Sequence, residues 1–264
     1  MTTANGRLLA LGRAETTLLL RNRTALFMAV AMPLCMVAGL RGLLKAQAAQ
    51  LPGIDLNAAL VLNVTGITLL FVVYYNLTAA YVARRGELVL KRMRTGELSD
   101  GEILAGTALP SVLLALVQSV LVAGATGVLL NLSAPANPLL SVAGLALAIA
   151  VLVPLAALSS AFTRTVETAG ITTLPVLLLT MAGSGLLVPY SVMPEWLAIG
   201  CRLLPTSSAF QVLRIGWLGT DGTAPVTGFG GTWAPALPYL AGGVAWALAT
   251  AWAARRWFRW EPRR

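Results

Sequence analysis

Long apolar stretches separated by short polar segments dominate the pattern of hydrophobic and polar positions along the chain. Several stretches reach about 20 residues, the length that a helix needs to cross a hydrocarbon core of roughly 30 Å. The pattern predicts six spans, over residues 24–44, 58–82, 104–130, 139–161, 168–189 and 235–254. Because these stretches do not alternate as the strands of a membrane barrel do, we expect an all-α integral membrane protein.

The segments between and beyond the spans also carry information. Residues 1–23 place leucines beside arginines and predict an amphipathic helix on the inner surface, although a loose tail remains open for the first few. Residues 190–232 contain two apolar pieces of about a dozen residues, too short to span, and predict an outer re-entrant segment. Residues 83–103 form an inner loop and residues 255–264 an inner tail, within a single membrane domain over 1–264.

Composition supports a membrane protein, and the placement of charge predicts its orientation. The chain is 57% hydrophobic and 11% charged, whereas soluble domains carry roughly 25% charged residues. The net charge is +9, yet the predicted outer side keeps only Arg41, Lys45, Arg202 and Arg214 of the nineteen basic residues. The positive-inside rule therefore predicts cytoplasmic termini, and the basic excess indicates anionic lipid, and not nucleic acid, as its neighbour.

Several kinds of chemistry are missing from the sequence. The chain has no histidine, which excludes an imidazole base and a histidine-ligated metal site. It has no phosphate-binding P-loop, and the predicted spans contain no acidic residue of the kind that ion-coupled transporters place at mid-depth. We therefore expect no catalytic residue, no metal site and no cofactor bound by this chain.

The second predicted span is the most polar of the six. Asn63, Tyr74, Tyr75 and Asn76 are its candidates for lining a substrate path, since polar groups at membrane depth tend to face a cavity or the bundle interior. At helical spacing Asn63, Tyr74 and Tyr81 fall near one face. The alternative, that these residues join helices through hydrogen bonds, stays open.

The inner loop, "RRGELVLKRMRTGELSDGEILAG" over residues 84–106, has the densest charge in the chain. Apolar residues including Leu90 and Met93 interrupt the charges at roughly helical spacing, so one face could lie on a partner or on lipid. Ser99, with Glu102 three residues later, forms a capping-box pattern that predicts the start of the third span.

This loop resembles the inner loop of the membrane subunit of type 2 ABC transporters, the ABC-2 permeases. The outer stretch "VMPEWLAIGCRLLPTSSAFQVLR", residues 192–214, resembles the outer motif of the same family. The order of elements is also similar: an inner amphipathic helix, six spans and a re-entrant segment before the sixth. The loop departs from the family pattern at Leu88–Val89, where the family often has Gly-Thr, and at Gly96–Glu97, where it often has Thr-Pro.

The resemblance implies the permease subunit of an ATP-driven exporter in a bacterial inner or plasma membrane, similar to the drug-exporter branch. Such a subunit would move an amphipathic small molecule, drug, lipid or glycan outward as a homodimer or heterodimer. Two copies of a separate ABC ATPase subunit would bind ATP and Mg. A non-transporting assembly subunit and a secondary transporter remain alternatives.

The resemblance also implies roles for particular residues. The expected ATPase-coupling residues are Arg84, Arg85, Glu87, Leu90, Arg92, Met93 and Arg94. The expected outer gate consists of Met193, Pro194, Trp196 and Pro205.

Overall fold

The computed structural model describes residues 27, 31, 33–42, 56–95, 99–130, 134–185, 188, 190, 193–221 and 226–261. Within these ranges the chain is helical and has no strand. The amphipathic helix predicted for residues 1–23 lies outside the described residues, as do Gly96 and Glu97. The first predicted span, 24–44, is described only in part, and each of its described residues is helical.

The helices follow one another with short connections. In chain order they are α1 (Leu56–Thr68), a π-helix (Leu69–Tyr75), α2 (Asn76–Gly86), α3 (Val89–Arg94), α4 (Asp100–Leu130), α5 (Pro138–Phe162), α6 (Val166–Gly183), α7 (Glu195–Arg202), α8 (Ser207–Leu218) and α9 (Trp233–Trp257). Among the described residues, five helices are long and apolar enough to cross a membrane: Asn57–Gly86, Asp100–Leu129, Pro138–Phe162, Val166–Gly183 and Trp233–Trp257. The protein is therefore a multi-pass membrane protein.

These five helices confirm the second to sixth predicted spans, with shifts of a few residues at their ends. The second span continues to Gly86 as one rod made of α1, the π-helix and α2, which brings Arg84 and Arg85 into a helix. The fifth was predicted to reach residue 189 but ends at Gly183. It stops there because Gly185 adopts the left-handed conformation, with a φ of 76°, which favours glycine and ends helices.

Local sequence signals explain where several helices begin. The predicted capping box at α4 is confirmed: the Ser99 amide donates to Glu102 Oε2 at 2.8 Å, and the Glu102 amide donates to Ser99 Oγ at 3.4 Å. At α5, the Leu140 amide donates to Asn137 Oδ1 at 3.2 Å, and Pro138 occupies the first turn. The helix α7 begins at Glu195, directly after Pro194.

The helix α5 lies at the centre of the bundle. It packs on α8, on α9 and on the rod formed by α1, the π-helix and α2. Residues 33–42 also join the bundle, where Met36, Val37 and Leu40 pack against a buried cluster. That cluster consists of Leu60, Val61, Val64 and Val122.

The short helix α8 crosses the first half of α5 at very close range. A Cβ atom at Gly144 would overlap the backbone of Leu213, and one at Gly216 would overlap the backbone of Ser141. The Asn137 amide also donates to the Gly216 carbonyl at 2.8 Å. Every residue from 207 to 216 is buried, so this short helix is an integral part of the helix bundle.

We expect Gly144→Ala to destabilise the protein by about 1–3 kcal/mol, because the added methyl group overpacks a backbone-to-backbone contact. Gly124→Ala is the matched control, since the space beside Gly124 in α4 is open and alanine favours a helix by up to about 1 kcal/mol. Thermal unfolding in detergent measures both changes. Equal melting temperatures for the two variants would contradict the close crossing.

Candidate functional site

The charged loop between the second and third spans is built around the short helix α3. A tight turn precedes it, in which Leu88 adopts a left-handed conformation with φ 60° and ψ 14°. Leu90 and Ile103 are fully buried and belong to the main hydrophobic core. The loop is therefore anchored on the ends of α2 and α4, with which α3 packs.

The coupling residues expected from the sequence occupy three different environments. Glu87, Arg92 and Arg94 are exposed, Arg84 and Met93 are half-buried, and Leu90 is buried. Arg84 Nη1 donates a hydrogen bond to Thr107 Oγ1 of α4 at 3.1 Å. Fewer of the expected coupling residues are therefore accessible to a partner than the sequence suggested.

Arg85 lies inside the protein, with only 1% of its surface exposed. Its Nη1 donates to the Ser160 carbonyl at 2.9 Å and its Nη2 donates to the Thr163 carbonyl at 2.6 Å. These are carbonyls at the end of α5, where a helix leaves acceptors unsatisfied and its dipole attracts a cation. Sequence reasoning missed this role, because no local pattern shows that the end of α5 lies beside Arg85.

The chain segment after α9 folds back onto the loop. Lys91 Nζ and Glu261 Oε1 form an ion pair at 2.7 Å, and the Arg94 guanidinium lies 4.9 Å from the ring centroid of Trp260. Phe258 packs edge-on against Tyr81, with ring centroids 5.8 Å apart. The sequence predicted residues 255–264 only as an inner tail, whereas its described part is joined to the charged loop.

Hydrogen bonds connect the second span to its neighbours. The hydroxyls of Tyr74 and Ser159 share one at 2.9 Å, and Thr78 Oγ1 donates to the Ala156 carbonyl at 3.4 Å. The Tyr81 hydroxyl donates to the Leu104 carbonyl of α4 at 2.9 Å. Tyr74 and Tyr81 therefore contact different helices, α5 and α4.

The four residues predicted to line a substrate path do not share one surface. Tyr74 is fully buried, and Asn63 is buried with no hydrogen-bond partner for its Oδ1 among the described residues. Tyr75 is half-buried beside Gly170 of α6, and Asn76 is exposed. The π-helix over Leu69–Tyr75 has wider turns than an α-helix, so the facing of side chains on either side of it departs from regular α-helical spacing.

The predicted outer-gate residues lie in α7 and on either side of it: Trp196 is in the helix, Met193 and Pro194 precede it, and Pro205 follows it. Pro194 and Trp196 are exposed, the latter at 74%, while Met193 and Pro205 are half-buried. This region also contains a cluster of buried polar side chains, to which these four residues do not belong. The cluster surrounds the end of α6, and it was not predicted from the sequence.

Side chains in and before α8 satisfy the carbonyls at the end of α6. Arg214 Nη1 donates to the Gly185 carbonyl at 2.9 Å, and Gln211 Nε2 donates to the Ser184 carbonyl at 3.1 Å. Ser207 Oγ donates to the Gly183 carbonyl at 3.2 Å. Burial lowers the pKa of the Arg214 guanidinium, and the Asp221 carboxylate opposes that shift. The sequence signal that could have indicated this cluster is the recurrence of polar residues along the otherwise apolar helix α8.

The bundle, with a basic helix-containing loop between α2 and α4 and two short helices before α9, defines a multi-pass helical membrane protein. The family model described as "ABC-2 type transporter" matches residues 7–218, and the chain belongs to this family. It is an ABC-2 permease membrane subunit, whose domain lacks ATPase activity and carries no nucleotide-binding site. Permeases of this family generally pair with ABC ATPase subunits. A comparison with curated proteins gave no match.

We expect Leu88→Gly to stabilise the protein slightly. The left-handed conformation costs a non-glycine residue about 1–2 kcal/mol, and the greater freedom of glycine in the unfolded chain offsets roughly 0.5–1 kcal/mol of that gain. Val89→Gly, one residue later and within α3, is the control and should destabilise. A lower melting temperature for Leu88→Gly than for the parent protein would contradict the strained turn.

We expect Arg85→Met to destabilise the protein by about 2–4 kcal/mol, because it leaves two buried carbonyls at the end of α5 without their charged donor. Arg92→Met removes the same charge from an exposed position and should change stability by less than about 0.5 kcal/mol. Unfolding of the two detergent-solubilised variants compares them directly. Similar losses at both positions would overturn the role assigned to Arg85.

Proposed function

We propose that this permease exports amphipathic molecules, a class that includes drugs, lipids and glycans, across a bacterial inner or plasma membrane. It pairs with itself or with a related permease and with two copies of an ABC ATPase subunit, which binds ATP and Mg. Membership of the ABC-2 family supports the permease role. The direction of transport, the substrate class and the assembly are the proposed part.

The proposal rests chiefly on one observation: α3 has an exposed basic face, and its opposite, apolar face is buried in the core. Lys91 and Arg92 are exposed, whereas Leu90 between the turn and these residues is fully buried in the core. Close-packed interiors transmit strain with little compression. A partner that closes on ATP and pushes on α3 would therefore displace the ends of α2 and α4 with it.

The contacts of the loop divide the expected coupling residues by role. Glu87 and Arg92, with Met93 at the edge, form the proposed ATPase contact because their side chains are accessible. Leu90 is the proposed apolar anchor. Arg84, Arg85 and Arg94 contact other parts of this chain, so we assign them to positioning the loop.

We further propose six spans, cytoplasmic termini and one membrane domain over residues 1–264. Helical residues 33–42, packed against α1 and α4, support a first span in addition to the five candidates. Basic residues at the same end of the bundle support the orientation: Arg84 and Arg85 end α2, and Arg255 and Arg256 end α9. An even number of spans places both termini on that side.

The passage and its outer closure complete the proposal. Tyr75 and Asn76 lie on the accessible side of the second span, near α6, which supports a substrate path there. Asn63 and Tyr74 would join that path only if the bundle rearranged, because both are buried. At the outer side, α7 carries Trp196, with Met193, Pro194 and Pro205 beside the helix, and we propose that these residues close the passage.

Charge reversal at Arg92 tests the ATPase contact. The permease is purified in lipid discs together with an ABC ATPase encoded beside it, and hydrolysis is measured against a panel of amphipathic compounds. We expect Arg92→Glu to weaken the complex at least about tenfold, since like charges brought together at an interface cost several kcal/mol.

Arg259→Glu, the same charge change at an exposed site in the tail, is the matched control and should leave the complex intact. An Arg92→Glu complex as tight as the parent complex would overturn the docking surface. If the parent protein formed no complex and no compound stimulated hydrolysis, the exporter function itself would be wrong.

A further inference from the structure

A cavity of about 530 Å³ lies between α4, α5 and α9 at the end of the bundle that carries the charged loop. Ligand sites in proteins typically measure about 300–1,000 Å³. Leu104 of α4, Val153 of α5 and Ala251 of α9 line its walls, and Phe258 and Trp260 line it from the tail. Its surface is mostly apolar, and none of the proposed path or gate residues takes part in it.

Small residues and divergent helices create this space. Gly101 and Ala105 on α4, Ala157 on α5 and Ala254 on α9 all face it with little side-chain volume. In addition, α4 packs chiefly on the rod of the second span and only marginally on α5, whereas α9 packs extensively on α5. The inner end of α4 therefore stands apart from α9, with α5 behind the gap.

Two charged residues line the cavity: Asp100, which is neutralised by an ion pair, and Arg255. Asp100 is paired with Arg94, whose Nε lies 3.0 Å from Asp100 Oδ1. The Glu102 carboxylate accepts a hydrogen bond from Ser99 Oγ at 2.6 Å and does not line the cavity. Arg255 is exposed at the rim. The rim therefore favours an anionic group.

We propose that this cavity binds an anionic phospholipid from the inner leaflet, with an acyl chain between α4 and α9 and the phosphate beside Arg255. The apolar walls suit the chain, the cationic rim suits the phosphate, and the arginine-rich membrane face is the one where anionic lipids are attracted. This inference concerns lipid binding and holds whether or not the protein exports the proposed substrates.

The headgroup determines which lipid is selected. An acyl chain leaves one apolar environment, the bilayer, for another, so its burial alone discriminates little between lipids. The phosphate contact to a basic side chain differs between anionic and zwitterionic headgroups. Selectivity for anionic lipid should therefore depend on Arg255.

The same lipid would also stabilise the position of the coupling loop. The tail that lines the cavity is held to α3 by the Lys91–Glu261 ion pair and by the stacking of Arg94 on Trp260. Ser99, Asp100 and Gly101 at the start of α4 line the opposite side. A bound chain therefore contacts both segments that hold α3 in place.

Native mass spectrometry of the purified full chain tests the proposal with phosphatidylglycerol and phosphatidylcholine of the same acyl chains. We expect phosphatidylglycerol to bind more tightly, and Arg255→Gln to weaken its binding about fivefold, the effect of one basic residue near an anionic surface. Arg256→Gln is the matched control, since Arg256 is exposed on the same helix but does not line the cavity. Glycerol 3-phosphate, which has no acyl chain, should not compete.

A second pair of variants tests the chain-binding part. Ala251→Leu fills the cavity and should reduce binding of phosphatidylglycerol, whereas Ala249→Leu adds the same volume at an exposed position outside it. Equal binding of the two lipids, equal losses from the two arginine variants, or full binding by a correctly folded Ala251→Leu protein would each overturn the proposal. If Ala251→Leu fails to fold, the arginine pair decides alone.

Discussion

The backbone carbonyls at the ends of the membrane helices impose the constraint on which the rest of this structure depends. In a membrane, a helix end turned into the bundle has no water to satisfy its last carbonyls. Two buried arginines solve this problem at opposite ends of the bundle. Arg85 binds carbonyls that end α5, and Arg214 binds the Gly185 carbonyl just after α6. Each hydrogen bond also joins a neighbouring helix to the helix end, so the same interaction satisfies the carbonyl and holds two elements of the bundle together.

This arrangement makes the two regions that we propose to be functional dependent on the packing of the bundle. Arg85 ties the rod of the second span to α5 immediately before the charged loop, so α3 emerges from a fixed base. At the other end, Arg214 and Gln211 tie α8 to the segment after α6, while Gly144 and Gly216 allow α8 to approach α5 closely. A movement of the loop or of the short helices α7 and α8 must therefore involve the helices to which they are bound.

Much of this fold could be predicted because membrane spans depend on local properties. Five predicted spans correspond to observed helices, since apolar length and internal hydrogen bonding are enough to specify a helix in lipid. Ser99 with Glu102 marked the start of α4 for an equally local reason. Leu88, in contrast, occupies a left-handed conformation that glycine prefers, which its residue type did not predict. The site was less predictable: Arg85 and Arg92 look alike in the sequence, yet one is buried and the other exposed.

The sequence by itself determined the helical membrane architecture, the family and the lack of a nucleotide-binding loop, because each follows from composition or from residues close together in the chain. Only the tertiary structure decided which charges remain accessible. The partners of Arg85 lie 75 and 78 residues away, and Glu261 meets Lys91 across 170 residues. The cavity between α4, α5 and α9 likewise arises from the divergence of helices distant in sequence. Such contacts depend on how the helices pack, and no local pattern of residues encodes them.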